Sequence, residues 1–146
     1  MNKVLVNNVN KYLADVGVSY IKLHNLHWNV VGEQFKAVHE YLEELYESFA
    51  TVLDDTAEIL RINGETPLAS MKEYLAVSTI EELDGSDKSI ASVLKIVTED
   101  LNSLKKEALS IRAEADEDGN FDIANLMEDH LKDYSKALWF LSAMRK

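Results

Sequence analysis

Residues 39–60 read HEYLEELYESFATVLDDTAEIL, and this segment carries one polar stripe along an otherwise ordinary amphipathic helix. At about 100° per residue, four of its carboxylates fall within roughly 60° of one another, and His39 widens the arc to about 100°. These carboxylates belong to Glu43, Glu47, Asp54 and Glu58. A second histidine, His27, precedes the segment. The stripe could be a solvated face, but imidazoles and carboxylates brought together would form a transition-metal site.

Four long stretches of the chain have the apolar spacing of amphipathic helices. They cover about residues 5–31, 35–62, 90–111 and 121–144, and the first two stop at Gly32 and at Asn63-Gly64. Only a few residues join the first stretch to the second, and the same is true of the third and the fourth. Each of these pairs is therefore expected to be antiparallel.

A much longer segment, residues 64–86, separates the second and third stretches. It contains Pro67, followed by a short helical pattern at Leu68, Met71 and Leu75, and it indicates one long crossover between parallel helices. The predicted fold class is therefore all-α, a four-helix bundle whose single long crossover carries a short extra helix. That arrangement is typical of ferritin-like folds.

The composition indicates a single folded domain over residues 1–146, since 47% of the residues are apolar, 28% are charged and only one is proline. The absence of cysteine excludes disulfides, thiolate zinc sites and cysteine nucleophiles. No apolar run approaches the ~18 residues of a membrane span. The first helical stretch is too polar for a signal peptide. We therefore expect a cytoplasmic protein that does not contact membranes.

The spacing of the candidate ligands argues against a metal site within one chain. Known di-iron bundles use Glu-x-x-His pairs, and this sequence contains none. His39 and Glu58 would lie roughly 28 Å apart along one helix, whereas Asp54 and Glu58 are neighbours at i and i+4. His27 and His39 flank a tight turn and could be close. In a two-fold dimer, His39 of one chain would face residues 54–58 of the other.

Such a shared site would combine histidine nitrogen with carboxylate oxygen, which suits Fe(II), Zn or Mn better than Ca or Mg. The surrounding sequence also resembles a known family. Residues 24–75 read HNLHWNVVGEQFKAVHEYLEELYESFATVLDDTAEILRINGETPLASMKEYL. This run is similar to the signature of the Dps family, the mini-ferritins, including the spacing from His39 to Asp54 and Glu58. The resemblance extends over essentially the whole chain, including Trp139.

The resemblance implies a hollow dodecamer that oxidises Fe(II), preferably with hydrogen peroxide, and stores the ferric product in its cavity. His27 and His39 would be ligands from one chain, and Asp54 and Glu58 would come from its neighbour. Glu43, one methylene longer than the Asp that the family often has there, would be an auxiliary ligand. Zn or Mn could substitute for iron at the same site.

The resemblance also extends to residues around the shared site. It implies that Trp28 lies beside the site and that an acidic region at the junction of the last two helices lines pores that admit Fe(II). The acidic residues of this junction are Glu114, Asp116, Glu117, Asp118 and Asp122. A solvated loop is the alternative for that region. His130 is expected to be structural, and His24 to serve a surface or interface role.

Two other functions remain open from the sequence. Many relatives coat DNA with a Lys/Arg-rich terminal arm, but the net charge of −11 and the few basic residues near either end make DNA binding unfavourable here. The chain could instead be a purely structural bundle with a solvated polar stripe. The negative charge would attract cations, although it could equally serve solubility alone.

Overall fold

The computed structural model describes residues 1–146 as a bundle of four long helices and one short helix. The long helices are α1 (Lys3–Asn29), α2 (Phe35–Ile62), α4 (Ile90–Glu117) and α5 (Phe121–Met144), and the short one is α3 (Met71–Val77). Two short strands, β1 (Val30–Val31) and β2 (Lys88–Ser89), complete the set. The predicted ferritin-like bundle with one long crossover is confirmed, and α3 is the predicted extra helix.

Side-chain caps and glycines define where the helices begin and end. The side chains of Asn2, Ser89 and Asn120 accept hydrogen bonds from backbone N–H groups in the first turns of α1, α4 and α5. Gly64 lies just after α2 with a φ of +77°, and Gly119 lies just after α4 with a φ of +69°. This left-handed conformation costs glycine little, so each helix can close its last carbonyls and the chain can reverse.

The strands are the one feature that the helical periodicity did not predict. They pair in parallel, with Val30 opposite Lys88 and Val31 opposite Ser89. β1 directly follows α1 and β2 directly precedes α4, so the pairing joins the end of α1 to the start of α4. The crossover therefore runs from the end of α2 back to the end of the bundle where α2 begins. As a result, α2 and α4 run parallel, as the sequence predicted.

Apolar faces of all four long helices, together with Val30 of β1, form one core of 28 buried residues. Burial of this surface supplies the main driving force for folding, since apolar area is worth about 25 cal/mol per Å². The polar stripe of α2 faces away from this core, and Glu43, Glu47, Asp54 and Glu58 are all exposed in the single chain. None of the helices has the length and apolar character needed to cross a membrane.

Candidate metal centre

The histidine pair lies where α1 ends and α2 begins. His27 is in the last turn of α1 and is buried, whereas His39 is in the second turn of α2 and is half-buried. The tight connection between the two helices brings the imidazole rings together, 3.6 Å apart between centroids and 12° from parallel. Phe35 stacks on the other side of His39 at 4.9 Å.

Reciprocal hydrogen bonds fix both rings. Nδ1 of His27 lies 2.6 Å from the backbone oxygen of His39, and Nδ1 of His39 lies 2.7 Å from the backbone oxygen of His27. A carbonyl oxygen can only accept, so each Nδ1 is the donor. In the neutral imidazole the proton is then on Nδ1, and Nε2 keeps a free lone pair. The structure therefore presents two oriented nitrogen donors, as metal-binding histidines require.

Glu43 places one carboxylate oxygen beside His27. Its Oε1 lies 3.9 Å from Nε2 of His27, which is too long for a direct hydrogen bond. Two ligands of one transition-metal ion are commonly roughly 3–4 Å apart, because each bond is about 2 Å long. The separation between Glu43 and His27 is therefore suited to an ion bound between them.

The carboxylates form a second group at the far end of α2. Ligand oxygens of Asp54, Asp55 and Glu58 all lie within 4.8 Å of one another, and all three residues are exposed. Hydrogen bonding to Asp54 and its negative charge raise the pKa of Glu58. Carboxylates in such mutual repulsion gain from a shared cation.

His39 and Glu43 are on the same uninterrupted helix as the carboxylate cluster, Phe35–Ile62, so one chain does not bring His39 together with Asp54 and Glu58. The structure instead presents two separate half-sets of ligands. One contains His27, His39 and Glu43, and the other contains Asp54 and Glu58 with Asp55 added. On an ideal helix, Asp55 is about 100° from Asp54. Its carboxylate nevertheless reaches the same cluster.

Tyr46, which was not among the predicted site residues, is a neighbour of the histidines. Its ring stacks on His24 at 3.7 Å and meets His27 edge-on at 5.2 Å. The signal was available, because Tyr46 follows His39 by seven residues and so occupies the same helix face. His24 itself is fixed by its Nδ1, which donates to the backbone oxygen of Tyr20 at 2.7 Å. Trp28 is 65% exposed beside His24, with the ring centroids 5.5 Å apart.

The remaining candidates have partners that limit their roles. His130 is buried, and its Nδ1 hydrogen-bonds to the hydroxyl of Tyr12 at 2.8 Å. In the acidic junction, both oxygens of Glu114 accept from the Asn8 amide, and Asp118 accepts from the backbone of Asn2. Asp116 lies near Arg112. The contacts of Glu114 and Asp118 connect the start of α1 to the junction, whereas the contact of Asp116 lies within α4, and Glu117 and Asp122 are exposed.

Comparison with known proteins gives a consistent result. The model of the ferritin-like domain matches residues 6–146. DNA protection during starvation protein 2 of Bacillus anthracis is 36% identical to this chain, and the match covers 98% of this chain and 97% of the relative's length. The crystal structure of antigen TpF1 from Treponema pallidum superimposes with a TM-score of 0.95, 38% identity, and coverage of 98% and 92% of the two chains.

A third relative is described in terms of its metal chemistry. The crystal structure of a Dps protein from Vibrio cholerae is described as a member of a broad superfamily of ferritin-like diiron-carboxylate proteins. It has a TM-score of 0.93 and 28% identity to the present chain, and the match covers 99% of this chain and 90% of the other.

Proposed function

The chain belongs to the Dps family of ferritin-like proteins, and from this premise we propose that it is a ferroxidase and iron-storage protein. It oxidises Fe(II), preferably with hydrogen peroxide, at sites shared between subunits. The Fe(III) product is stored inside a hollow homo-dodecamer, which protects the cell against oxidative stress. Iron binding is supported by the diiron-carboxylate relative and by the carboxylate cluster on α2.

One observation carries this proposal. The reciprocal hydrogen bonds of His27 and His39 leave two Nε2 donors available in a fixed orientation, and one chain contains no carboxylate pair to complete the site beside them. Asp54 and Glu58 lie at the opposite end of the same helix. A two-fold axis that packs α2 against its copy would bring each half-set to the other, so a dimer would hold two equivalent sites.

In this proposal His27 and His39 bind Fe(II) from one subunit, and Asp54 and Glu58 bind it from the partner. Glu43 is an auxiliary ligand at 3.9 Å from His27. The nitrogen and carboxylate donors also suit Zn or Mn, which would compete for the site. The exposed carboxylates Glu44 and Glu47 are candidates for nucleating the ferric mineral.

The chemistry requires two Fe(II) ions for each peroxide. Each Fe(II) gives up one electron, the two electrons break the O–O bond, and two hydroxides result. Delivering both electrons to the same peroxide avoids the hydroxyl radical that a single Fe(II) would release. The negative net charge of −11 raises the local concentration of Fe(II) near the protein.

The test is Fe(II) oxidation by peroxide in the wild type and in the double variant His39→Ala/Asp54→Ala. We expect the double variant to lose protein-catalysed oxidation, because each shared site then lacks a ligand from both halves. A control variant, Glu33→Ala, removes an exposed acid from the turn before α2 and should leave the rate unchanged. Equal rates in wild type and double variant would overturn the proposal.

A further inference from the structure

A buried carboxylate attaches the crossover to α1. The side chain of Asp15 is completely buried. Its Oδ1 accepts hydrogen bonds from the hydroxyl of Ser78 and from the backbone N–H of Thr79, both at 2.7 Å. Its Oδ2 accepts from the hydroxyl of Thr79 at 3.1 Å. The residues that directly follow α3 are therefore held on α1 by this carboxylate, and Nζ of Lys11 adds a hydrogen bond to the Thr79 hydroxyl at 3.3 Å.

A second carboxyl group, that of Glu107, shares the ammonium group of Lys11 with Asp15. Nζ of Lys11 donates to Oδ2 of Asp15 at 3.0 Å and to Oε1 of Glu107 on α4 at 2.5 Å. The other oxygen of Glu107 is buried and receives no hydrogen bond from a neighbouring donor. If both carboxyls were ionised, two negative charges would share one ammonium group in a poorly solvated site.

No other group supplies the missing positive charge. Tyr12 of α1 and Tyr134 of α5 are the other titratable groups close to Glu107, and burial raises the pKa of both phenols. Asp133 of α5, near these tyrosines, adds negative charge. The crossover contributes only the hydroxyls and N–H group that bond to Asp15. A proton is therefore the remaining way to relieve the excess charge.

The proton belongs on Glu107. Burial and the neighbouring Asp15 raise the pKa of Glu107 to about 7, despite the opposing effect of Lys11. For Asp15, burial acts to raise the pKa, but the hydrogen bonds from Glu107, Ser78, Thr79 and Lys11 outweigh it and lower the pKa. Protonated Glu107 donates to ionised Asp15 and so supports its acceptor bonds to the crossover, whereas ionised Glu107 repels the Asp15 carboxylate and weakens its hold on Ser78 and Thr79.

We propose that Lys11, Asp15 and Glu107 form a proton-dependent latch that holds residues 78–79 on α1 below neutral pH and loosens above it. The sign follows from the two carboxyls. Glu107 binds its proton more tightly in the folded state, so its contribution is present below about pH 4.5 and is lost as the pH rises through about 7. Asp15 behaves oppositely, and its contribution is lost only when the pH falls below its usual range near 3.8.

The loosening is local, because other parts of the crossover have attachments that do not titrate. The side chain of Asn10 accepts from the backbone of Leu68 at 2.9 Å, and the amide of Asn25 donates to the backbone oxygen of Leu83 at 3.1 Å. Residues 78–79 lie between these two attachments. Release of the latch would therefore free the end of α3 without detaching the whole crossover.

Amide hydrogen exchange of Thr79 tests the proposal, since this N–H donates directly to Asp15. The full chain is compared at pH 6, 7 and 8, with rates corrected for the intrinsic pH dependence of exchange and referred to the buried core amide of Phe49. The ionised fraction of a group titrating near 7 rises about tenfold between pH 6 and 8. We expect the protection of Thr79 to fall about fivefold or more over this range in the wild type.

Glu107→Gln imitates the protonated carboxyl, because its amide can still donate to Asp15 and its carbonyl can accept from Lys11. It should keep Thr79 protected at all three pH values. Glu114→Gln, on the same helix but bonded to Asn8, is the matched control and should retain the wild-type fall. A constant wild-type protection factor would overturn the latch, whether or not the Gln variant folds. An equal fall in Glu107→Gln would also overturn it.

Discussion

At the scale of single residues, the two histidines show how backbone geometry prepares a side chain for chemistry. Each imidazole donates Nδ1–H to the carbonyl of the other residue, so the same pair of contacts fixes both tautomers and both ring orientations. Neither bond involves a separate supporting side chain. A substitution that shifted the start of α2 would therefore disturb both imidazoles at once.

The buried triad of Tyr12, His130 and Tyr134 gives a prediction about stability. The Tyr12 hydroxyl lies 2.8 Å from Nδ1 of His130 and 2.5 Å from the Tyr134 hydroxyl, and burial lowers the pKa of His130 to about 4. Tyr12→Phe would leave two buried polar groups without their partner. We expect a loss of about 1–3 kcal/mol in the free energy of unfolding, measured by chemical denaturation.

Tyr20→Phe is the control for this change. Tyr20 is half-buried in the same helix, and its hydroxyl makes no hydrogen bond in the structure, so its removal should alter stability by about 0.5 kcal/mol or less. Equal effects of the two substitutions would show that the hydrogen bonds of Tyr12 do not stabilise the core.

At the scale of helices and strands, periodicity predicted the bundle because long amphipathic helices repeat their signal many times. The apolar positions of α4 that repeat three and four residues apart are all buried, as their spacing predicted, namely Leu94, Val97, Leu101, Leu104, Ala108 and Ile111. β1 and β2 could not be predicted, since two residues are too few to show a period and their pairing depends on tertiary contact. The interaction of Asp15 with residues 78–79 was equally hidden, because it joins positions more than sixty residues apart.

Some contacts of the candidate site could likewise be predicted from the sequence, and others could not. The helical spacing and the tight turn placed His27 near His39 and Asp54 near Glu58, and these are contacts within one helix or across one turn. The stacking of Tyr46 on His24 and the reach of Asp55 into the carboxylate cluster depend on side-chain rotamers. Rotamers follow from packing and solvation, which a single sequence does not specify.

The docking of α3 on α1 gives a prediction at this scale. An added Cβ at Gly17 would lie 2.8 Å from the ring of Tyr74, so this close approach requires glycine. Gly17→Ala should force the ring to move and cost about 1–3 kcal/mol of stability through overpacking, seen as a lower denaturation midpoint. Gly85→Ala is the matched control, because no atom lies within 4 Å of its added Cβ. If both variants unfold at the same midpoint, the contact between Gly17 and Tyr74 does not stabilise the crossover.

At the scale of the whole molecule, charge predicts behaviour toward DNA. Twelve chains at −11 each would carry a formal charge of −132, which repels the phosphate backbone. We therefore expect no retardation of linear duplex DNA in a gel-shift assay at about 150 mM salt, an ionic strength at which the Debye length is about 8 Å. Robust retardation there would contradict the prediction and favour the alternative of a DNA-condensing protein.

In the proposed shared site, the ligands come from two subunits, so assembly and oxidation can be tested together. A chain with His27→Ala/His39→Ala keeps its carboxylates, and a chain with Asp54→Ala/Glu58→Ala keeps its histidines. Each variant alone should be inactive, because every shared site lacks one half. When the two are co-expressed in equal amounts, a mixed dimer holds one site with both halves intact and one with neither. Random pairing makes about half of the dimers mixed, so about one quarter of all sites should be restored.

Peroxide-dependent Fe(II) oxidation by the co-assembled sample should therefore approach about one quarter of the wild-type rate per chain, since rate scales with intact sites in this arrangement. Mixing the two variants after each has folded and assembled is the control, and it should show no recovery while subunits do not exchange. If the co-expressed sample is as inactive as this control although mass spectrometry detects mixed dimers, the ligands of one site do not come from two subunits. Recovery limited to the co-assembled sample would instead require that His27 and His39 act together with the partner's carboxylates.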